Sequence, residues 1–255
     1  MTSFEVRLTF YGDLSFFLKS KQPELRRLLS ERTSVKDVIE ACGVPHTEVD
    51  VILIDGQTAG FETVLIQDAV VDVHGVDSDR VTRLAENRLQ ARNIRTFVAD
   101  GHLGKLVRDL RLLGIDAAYD RDAEDRQLVA QSAAENRGLL TRDRRLLMHA
   151  AVQHGYYLRS QKPFEQTLEV LRRFDLAPTV APFSRCLRCN ARLQSVAKKE
   201  VIDRLEPLTK IYYEQFRNCR GCGQIYWSGS HFDKLRDRVE KLRAAIDSGD
   251  PLDTA

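Results

Sequence analysis

From Phe97 to Leu147 the chain reads FVADGHLGKLVRDLRLLGIDAAYDRDAEDRQLVAQSAAENRGLLTRDRRLL, and this stretch alternates short apolar runs with helical ones. Thr96-Phe97-Val98-Ala99 is a strand that ends at Asp100, after which Leu103, Leu106, Val107, Leu110 and Leu113 recur at helical spacing. Gly114 stops that helix as the residue just past its C-cap. Ile115 to Tyr119 is a second strand, followed by Asp120, Asp122, Glu124 and Asp125. A helix then runs from about Asp125 through Leu128, Val129, Ser132 and Ala133 to a stop at Gly138, and its acidic start suits the helix dipole. Leu139-Leu140-Thr141 is the third strand, with Asp143 two residues past it among Arg142, Arg144 and Arg145. Strand, helix, strand, helix, strand requires a parallel α/β sheet.

Open parallel sheets bind ligands outside the carboxyl ends of their strands, which is where Asp100, the Asp122 to Asp125 cluster and Asp143 fall. Carboxylates gathered there repel one another unless one is protonated or a cation neutralises them. A hard divalent cation, Mg²⁺ or Mn²⁺, suits oxygen ligands; it polarises a phosphodiester and turns bound water into a nucleophile. The structural alternative is that each acid is a turn residue or a helix cap.

Four of the five cysteines form two pairs, Cys186-Leu-Arg-Cys189 and Cys219-Arg-Gly-Cys222, separated by 29 residues, 190 to 218. Two such knuckles close a tetrahedral four-thiolate zinc site, which leaves no open position and so serves folding rather than catalysis. Around them lie Lys198, Lys199, Arg204, Lys210, Arg217 and Arg220 with Tyr212, Tyr213, Phe216, Tyr226 and Trp227. Basic residues interleaved with aromatics are what single-stranded RNA recognition uses, and Trp227 and His231 in YWSGSH are the candidates for it. The competing reading is that a small ribbon needs those aromatics for its own core. From Phe232 the spacing of Leu235, Val239, Leu242 and Ile246 makes an amphipathic helix that packs on its own domain, and Asp247 to Ala255 is a frayed end.

With 39 basic residues against 37 acidic ones, the molecule is nearly neutral, so affinity for nucleic acid has to come from local patches. Lys105, Arg108, Arg111, Arg142, Arg144 and Arg145 flank the acidic strand ends and are the candidates for holding phosphates, Arg142 foremost, a solvated helix face being the alternative for such charges. No apolar run of about 18 residues and no signal-peptide pattern are present, and the paired cysteines point to metal rather than disulfides. A cytoplasmic protein without a membrane partner is expected.

Upstream, Phe4, Val6, Leu8 and Phe10 alternate with polar residues as a half-buried strand. Ser34 and Asp37 form a capping box, and Val35, Val38, Ile39 and Cys42 give one helix face before Gly43. Val51 to Ile54 and Ala69 to Val73 are further strands, the former ending in the turn Asp55-Gly56. This order reads as a β-grasp. It resembles the ubiquitin-like domain joined to one ribonuclease family and, more distantly, the sulfur carriers of molybdopterin and thiamine synthesis. A sulfur carrier acts through a free Gly-Gly end, whereas Val73-His74-Gly75-Val76 continues into more protein, so a module that docks a protein partner is expected.

The run ADGHLGKLVRDLRLLG, then DAEDRQL and LLTRDRRL, resembles the PIN-like ribonuclease family named after the Mut-seven C-terminal RNAse domain. The resemblance covers about Phe97 to Leu158, and the zinc motif extends it. It implies a metal-dependent ribonuclease with Asp100, Asp125 and Asp143 in the acidic site, Asp122 and Glu124 being the other choices for the middle acid. Asp109 stands in its helix where an apolar or aromatic residue is expected. The organisation expected is a β-grasp domain over 1–76, a connector helix over 77–94, a PIN-like α/β domain over 95–178, a zinc ribbon over 183–232, and a helix and tail over 233–255. Two rival functions are a non-catalytic RNA-binding adaptor and a metal-dependent phosphatase. The phosphatase lacks its second acid, because His102 stands where the DxD motif needs one.

Overall fold

The computed structural model describes residues 3–76, 78 and 85–248, the side chains of Ala85, Ser230 and His231 excepted. The chain makes two compact units, one of 1–94 with 124–157 and one of 95–123 with 158–255. Of the expected connector helix over 77–94, residues 77 and 79–84 lie outside the described ones, and in the remainder only Ala85–Asn87 is helical, as a single 3-10 turn.

In the first unit, Phe4–Tyr11 is the second strand of a mixed five-stranded sheet. It pairs antiparallel with Glu24–Leu29 and parallel with Ala69–Gly75, which in turn pairs with Val49–Ile54, and that strand with Gln57–Ala59. Alternation works as the sequence implies, with Val6, Leu8 and Phe10 buried on one face. The helix Val35–Ala41 covers that face through Val35, Val38 and Ile39, and the Ser34 hydroxyl accepts the Asp37 N–H at its start. Asp55 and Gly56, with φ of 50° and 81°, make the two-residue turn that right-twisted hairpins favour. This is the β-grasp arrangement.

The same unit contains the helix Asp125–Ala134, the strand Gly138–Thr141, the short helix Arg144–Leu147 and the strand Gly155–Tyr157, which runs parallel to Gly138–Thr141. Buried polar groups tie these elements to the β-grasp. The Glu48 carboxylate, 3% exposed, accepts the Tyr157 N–H at 2.6 Å, and the His46 ring lies 2.8 Å from the Val152 carbonyl. The end of the connector docks here too: Gln90 donates to the carbonyls of His46 and Val49, and Arg88 lies 3.4 Å from the buried Asp50.

In the second unit, the strands Thr96–Ala99 and Asp116–Tyr119 run parallel, with the helix Gly104–Leu112 between them in sequence. Its apolar stripe is buried as expected, and Gly114, at φ +86°, follows its C-cap. The segment between Pro178 and Pro182 is held down. The Ala181 and Phe183 N–H groups donate to the Leu113 and Leu112 carbonyls, and a Cβ on Gly114 would meet the Ala181 oxygen at 2.2 Å. The helices Pro163–Arg173 and Ser230–Asp247 pack together, and Arg172 donates to the Ala245 carbonyl. The C-terminal helix thus packs in its own unit.

The cysteine region folds as a three-stranded antiparallel ribbon of Leu193–Val196, Phe216–Cys219 and Ile225–Trp227. The interval between the cysteine pairs holds the short helices Lys198–Val201 and Pro207–Tyr212. Val201, Leu205, Phe216 and Ile225 form its core, with Val196 and Tyr213 packed against them. The strands Thr96–Ala99, Asp116–Tyr119, Gly138–Thr141 and Gly155–Tyr157 make up a four-stranded parallel sheet, the α/β fold expected. Among the described residues no helix is long and apolar enough to cross a membrane.

Candidate metal centres

Cys186 and Cys189 sit on a tight loop closed by the bridge between Arg185 and Arg192, and Asn190 adopts φ 71° to complete the turn. Cys219 ends a strand, and Cys222 follows in a turn that Gly223 completes at φ +73°. Gly221 is required here, because a Cβ would lie 2.9 Å from Ala191 and 3.1 Å from the Cys189 sulfur. The four sulfurs all lie within 4.8 Å of one another, with Cys186 Sγ 3.6 Å from Cys222 and Cys189 Sγ 3.3 Å from Cys219. Four thiolates at such separations could bind a zinc ion, for which soft sulfur donors in a tetrahedral set are the fitting ligands.

The surroundings favour thiolate at one position. Burial pushes the Cys186 thiol up, but hydrogen bonds from the Tyr226 hydroxyl, the backbone at Cys189 and Arg188, and Cys222 outweigh it and bring it down to about 6. Burial holds the Cys219 thiol above its ordinary value. The Tyr226 hydroxyl lies 3.1 Å from Cys186 Sγ, accepts the Leu187 N–H, and is itself held protonated by burial and by that thiolate. Tyr226, grouped in the sequence with RNA-stacking aromatics, is therefore an outer partner of a candidate metal ligand.

Further residues anchor the first knuckle, and one of them, Arg111, is by sequence a candidate for holding phosphates. Arg111, 5% exposed, donates from Nε to the Ala117 carbonyl and from Nη1 to the carbonyls of Leu187 and Arg188. Burial lowers its pKa from the ordinary arginine value, while Cys186, Cys189 and Asp116 oppose that shift. Arg185 pairs with Asp116 at 2.9 Å, and the Asn190 side chain accepts the Ala117 N–H while donating to Asp116. The sequence signal for Arg111 was its place four residues after Val107, on the helix stripe that is otherwise apolar.

The acids are distributed between the units. Asp100 follows the strand Thr96–Ala99 in the second unit, half-buried, before a tight helical turn over Gly101–Leu103. That turn is closely fitted, for Tyr119 donates its hydroxyl to the Gly101 carbonyl at 2.7 Å. A Cβ on Gly101 would stand 2.4 Å from the Arg121 oxygen, and one on Gly104 2.8 Å from the Tyr119 hydroxyl. Asp125 and Asp143 belong to the first unit, both exposed. Asp143 caps the helix Arg144–Leu147, its Oδ1 accepting the N–H groups of Arg145 and Leu146. Glu124 caps Asp125–Ala134 in a reciprocal box with Gln127 and pairs with Arg126 at 2.7 Å. Asp120 accepts the Asp122 N–H.

The basic candidates divide. Lys105 and Arg142 are exposed. Arg144 donates to the Phe17 carbonyl at 2.7 Å and lies over the rings of Phe16, Phe17 and Tyr157. Trp227 is 38% exposed at the end of its strand. His231 lies in the first turn of the C-terminal helix, and its side chain is outside the described residues.

A family model for the Mut7-C RNAse domain matches residues 95–239, more than half of the 255-residue chain. The chain belongs to this family. A model for the Mut7-C ubiquitin domain matches residues 3–78, the β-grasp sheet and helix. No curated protein matches. The Mut7-C RNAse match takes in Asp100, Asp125, Asp143 and all four cysteines, so the α/β elements and the ribbon fall within one family domain.

Proposed function

We propose that this Mut7-C protein is a metal-dependent ribonuclease that hydrolyses RNA phosphodiester bonds at Asp100, Asp125 and Asp143, with the ribbon assisting RNA binding. The observation that carries this reading is the RNAse-domain match running across all three aspartates. Their local settings support it. Asp143 uses Oδ1 as its cap, which leaves Oδ2 to face a cation. For the middle acid, Glu124 is occupied by its capping box and by Arg126, whereas Asp125 carries no capping duty. Asp100 rides on a turn fixed by Tyr119.

These hard carboxylate donors fit Mg²⁺ or Mn²⁺, which when bound polarises the phosphodiester and acidifies a water molecule. Exposed Lys105 and Arg142 steady the phosphate backbone by charge. The cysteine quartet, whose four thiolates would fill the coordination shell of one zinc ion, would hold the ribbon folded and take no part in the reaction. The β-grasp module docks a protein partner. An adaptor reading, in which the acids are structural and the ribbon recognises RNA, draws on the capping duty of Asp143.

The test is to incubate the purified protein with defined transfer, ribosomal and messenger RNAs, with Mn²⁺ or EDTA, and to map the product ends. Asp100→Asn is expected to abolish cleavage while folding and RNA binding persist. Full cleavage by that variant in a contaminant-free preparation refutes the assignment, and binding without metal-dependent cleavage favours the adaptor.

A further inference from the structure

Between the ribbon, the helix Gly104–Leu112 and the start of the helix Ser230–Asp247, the second unit opens into a groove of about 1050 Å³. We propose that this groove holds the unpaired bases of single-stranded RNA and leads the strand toward Asp100. This rests on the ribonuclease reading and specifies the form of RNA that the enzyme takes.

The aromatic side chains of the ribbon serve two different ends. Phe216 completes the core, Tyr213 packs against it and Tyr226 supports Cys186, whereas Tyr212 is 72% exposed and Trp227 38% exposed, both on the groove wall. The core of Val201, Leu205, Phe216 and Ile225 is closed without them, so packing does not account for these two rings. Flat rings on an open wall suit nucleobases, whose faces are available only when unpaired.

Charge selects the occupant. Of the ionic side chains lining the groove, Arg185 is neutralised by Asp116 and Glu214 by Lys198. Arg108 and Arg217 remain, and among the described residues neither is in an ion pair. The groove thus presents two uncompensated positive charges beside aromatic faces, which matches a phosphate backbone carrying unpaired bases. Arg108 also gives direction. It lies on the helix whose N-terminal end adjoins Asp100, and from Gly104 to Arg108 the axis advances about 6 Å. Exposed Lys105 lies between them in sequence.

The chain has a single tryptophan, so fluorescence reports on this wall alone. Full-length Asp100→Asn protein, without added Mn²⁺, is titrated with a single-stranded oligoribonucleotide and with a duplex of equal length. The single strand is expected to quench Trp227, and the duplex to leave it unchanged. Tyr212→Ala and Arg108→Ala should each weaken single-strand binding roughly ten-fold by anisotropy of labelled RNA, with zinc content and melting temperature unaltered. Binding with no change in Trp227 and no loss in either variant places the RNA elsewhere and overturns the groove, while cleavage by the unmutated protein keeps the ribonuclease reading. An oligomer that dissociates on Tyr212→Ala with RNA affinity unchanged assigns the wall to a second copy and likewise overturns it. RNA that is neither bound nor cut by the unmutated protein removes the ribonuclease reading itself.

Discussion

Arg238 engages Asp109 through two nitrogens, with Nε 3.2 Å and Nη2 2.5 Å from Oδ2. The acid that looked out of place in an apolar helix is thereby the anchor for the C-terminal helix. Asp109 is 8% exposed, Thr167 donates to the same oxygen at 3.4 Å, and the Arg238 guanidinium lies 4.8 Å from the centre of the Phe164 ring. Three helices of the second unit meet at this carboxylate.

Removing one partner of a largely buried pair leaves the other charge uncompensated. Arg238→Met is therefore expected to lower stability by about 2–3 kcal/mol, below the range for a fully buried pair because the Arg238 side chain is 32% exposed. The double variant Asp109→Leu/Arg238→Met should recover most of that loss. Urea denaturation of the two singles and the double reads the coupling, and additive losses would deny it.

Tyr226→Phe removes the hydroxyl that faces Cys186 Sγ and accepts the Leu187 N–H. Zinc affinity should fall about 10- to 100-fold, as for other outer partners of metal ligands. Competition against a chromophoric chelator measures it, and an unchanged affinity would mean that Tyr226 only fills space.

Glu48→Ala deprives the Tyr157 N–H of its acceptor in a buried setting. The expected cost is about 1–3 kcal/mol, with faster hydrogen exchange at Tyr157. Glu48→Gln keeps an acceptor oxygen and should lose less. Equal losses in both variants would show that the charge matters more than the hydrogen bond.

Tyr119→Phe removes the hydrogen bond to the Gly101 carbonyl while keeping the ring. If Asp100 acts as proposed, kcat should fall with KM and RNA affinity unchanged, because the hydroxyl fixes the turn and does not face the substrate. A rise in KM alone would argue against this positioning role.

Much of this was legible in the chain. The period-two pattern of Phe4 to Phe10, the Ser34 cap and the Gly114 stop are local signals, and each forms where expected. The CxxC pairs announce their own convergence, since each knuckle positions two sulfurs by itself. What was not legible depends on distant partners. Nothing near Asp109 in sequence points to Arg238, 129 residues away, and Arg111, expected to hold phosphate, instead donates to the knuckle carbonyls of Leu187 and Arg188. Arg144, expected to face phosphate, instead finds Phe17 and Tyr157.

Gly155–Tyr157 and Asp116–Tyr119 are outer strands of the parallel sheet, and in each a backbone N–H is taken by a side chain from an appended module, Glu48 for Tyr157 and Asn190 for Ala117. Trimming the protein to its α/β elements would bare both rims. Exposed strand rims recruit other chains, so such a fragment would aggregate in the test tube whether or not its chemistry survived. The β-grasp and the ribbon therefore each cover one rim of the sheet, a duty independent of any ligand they bind.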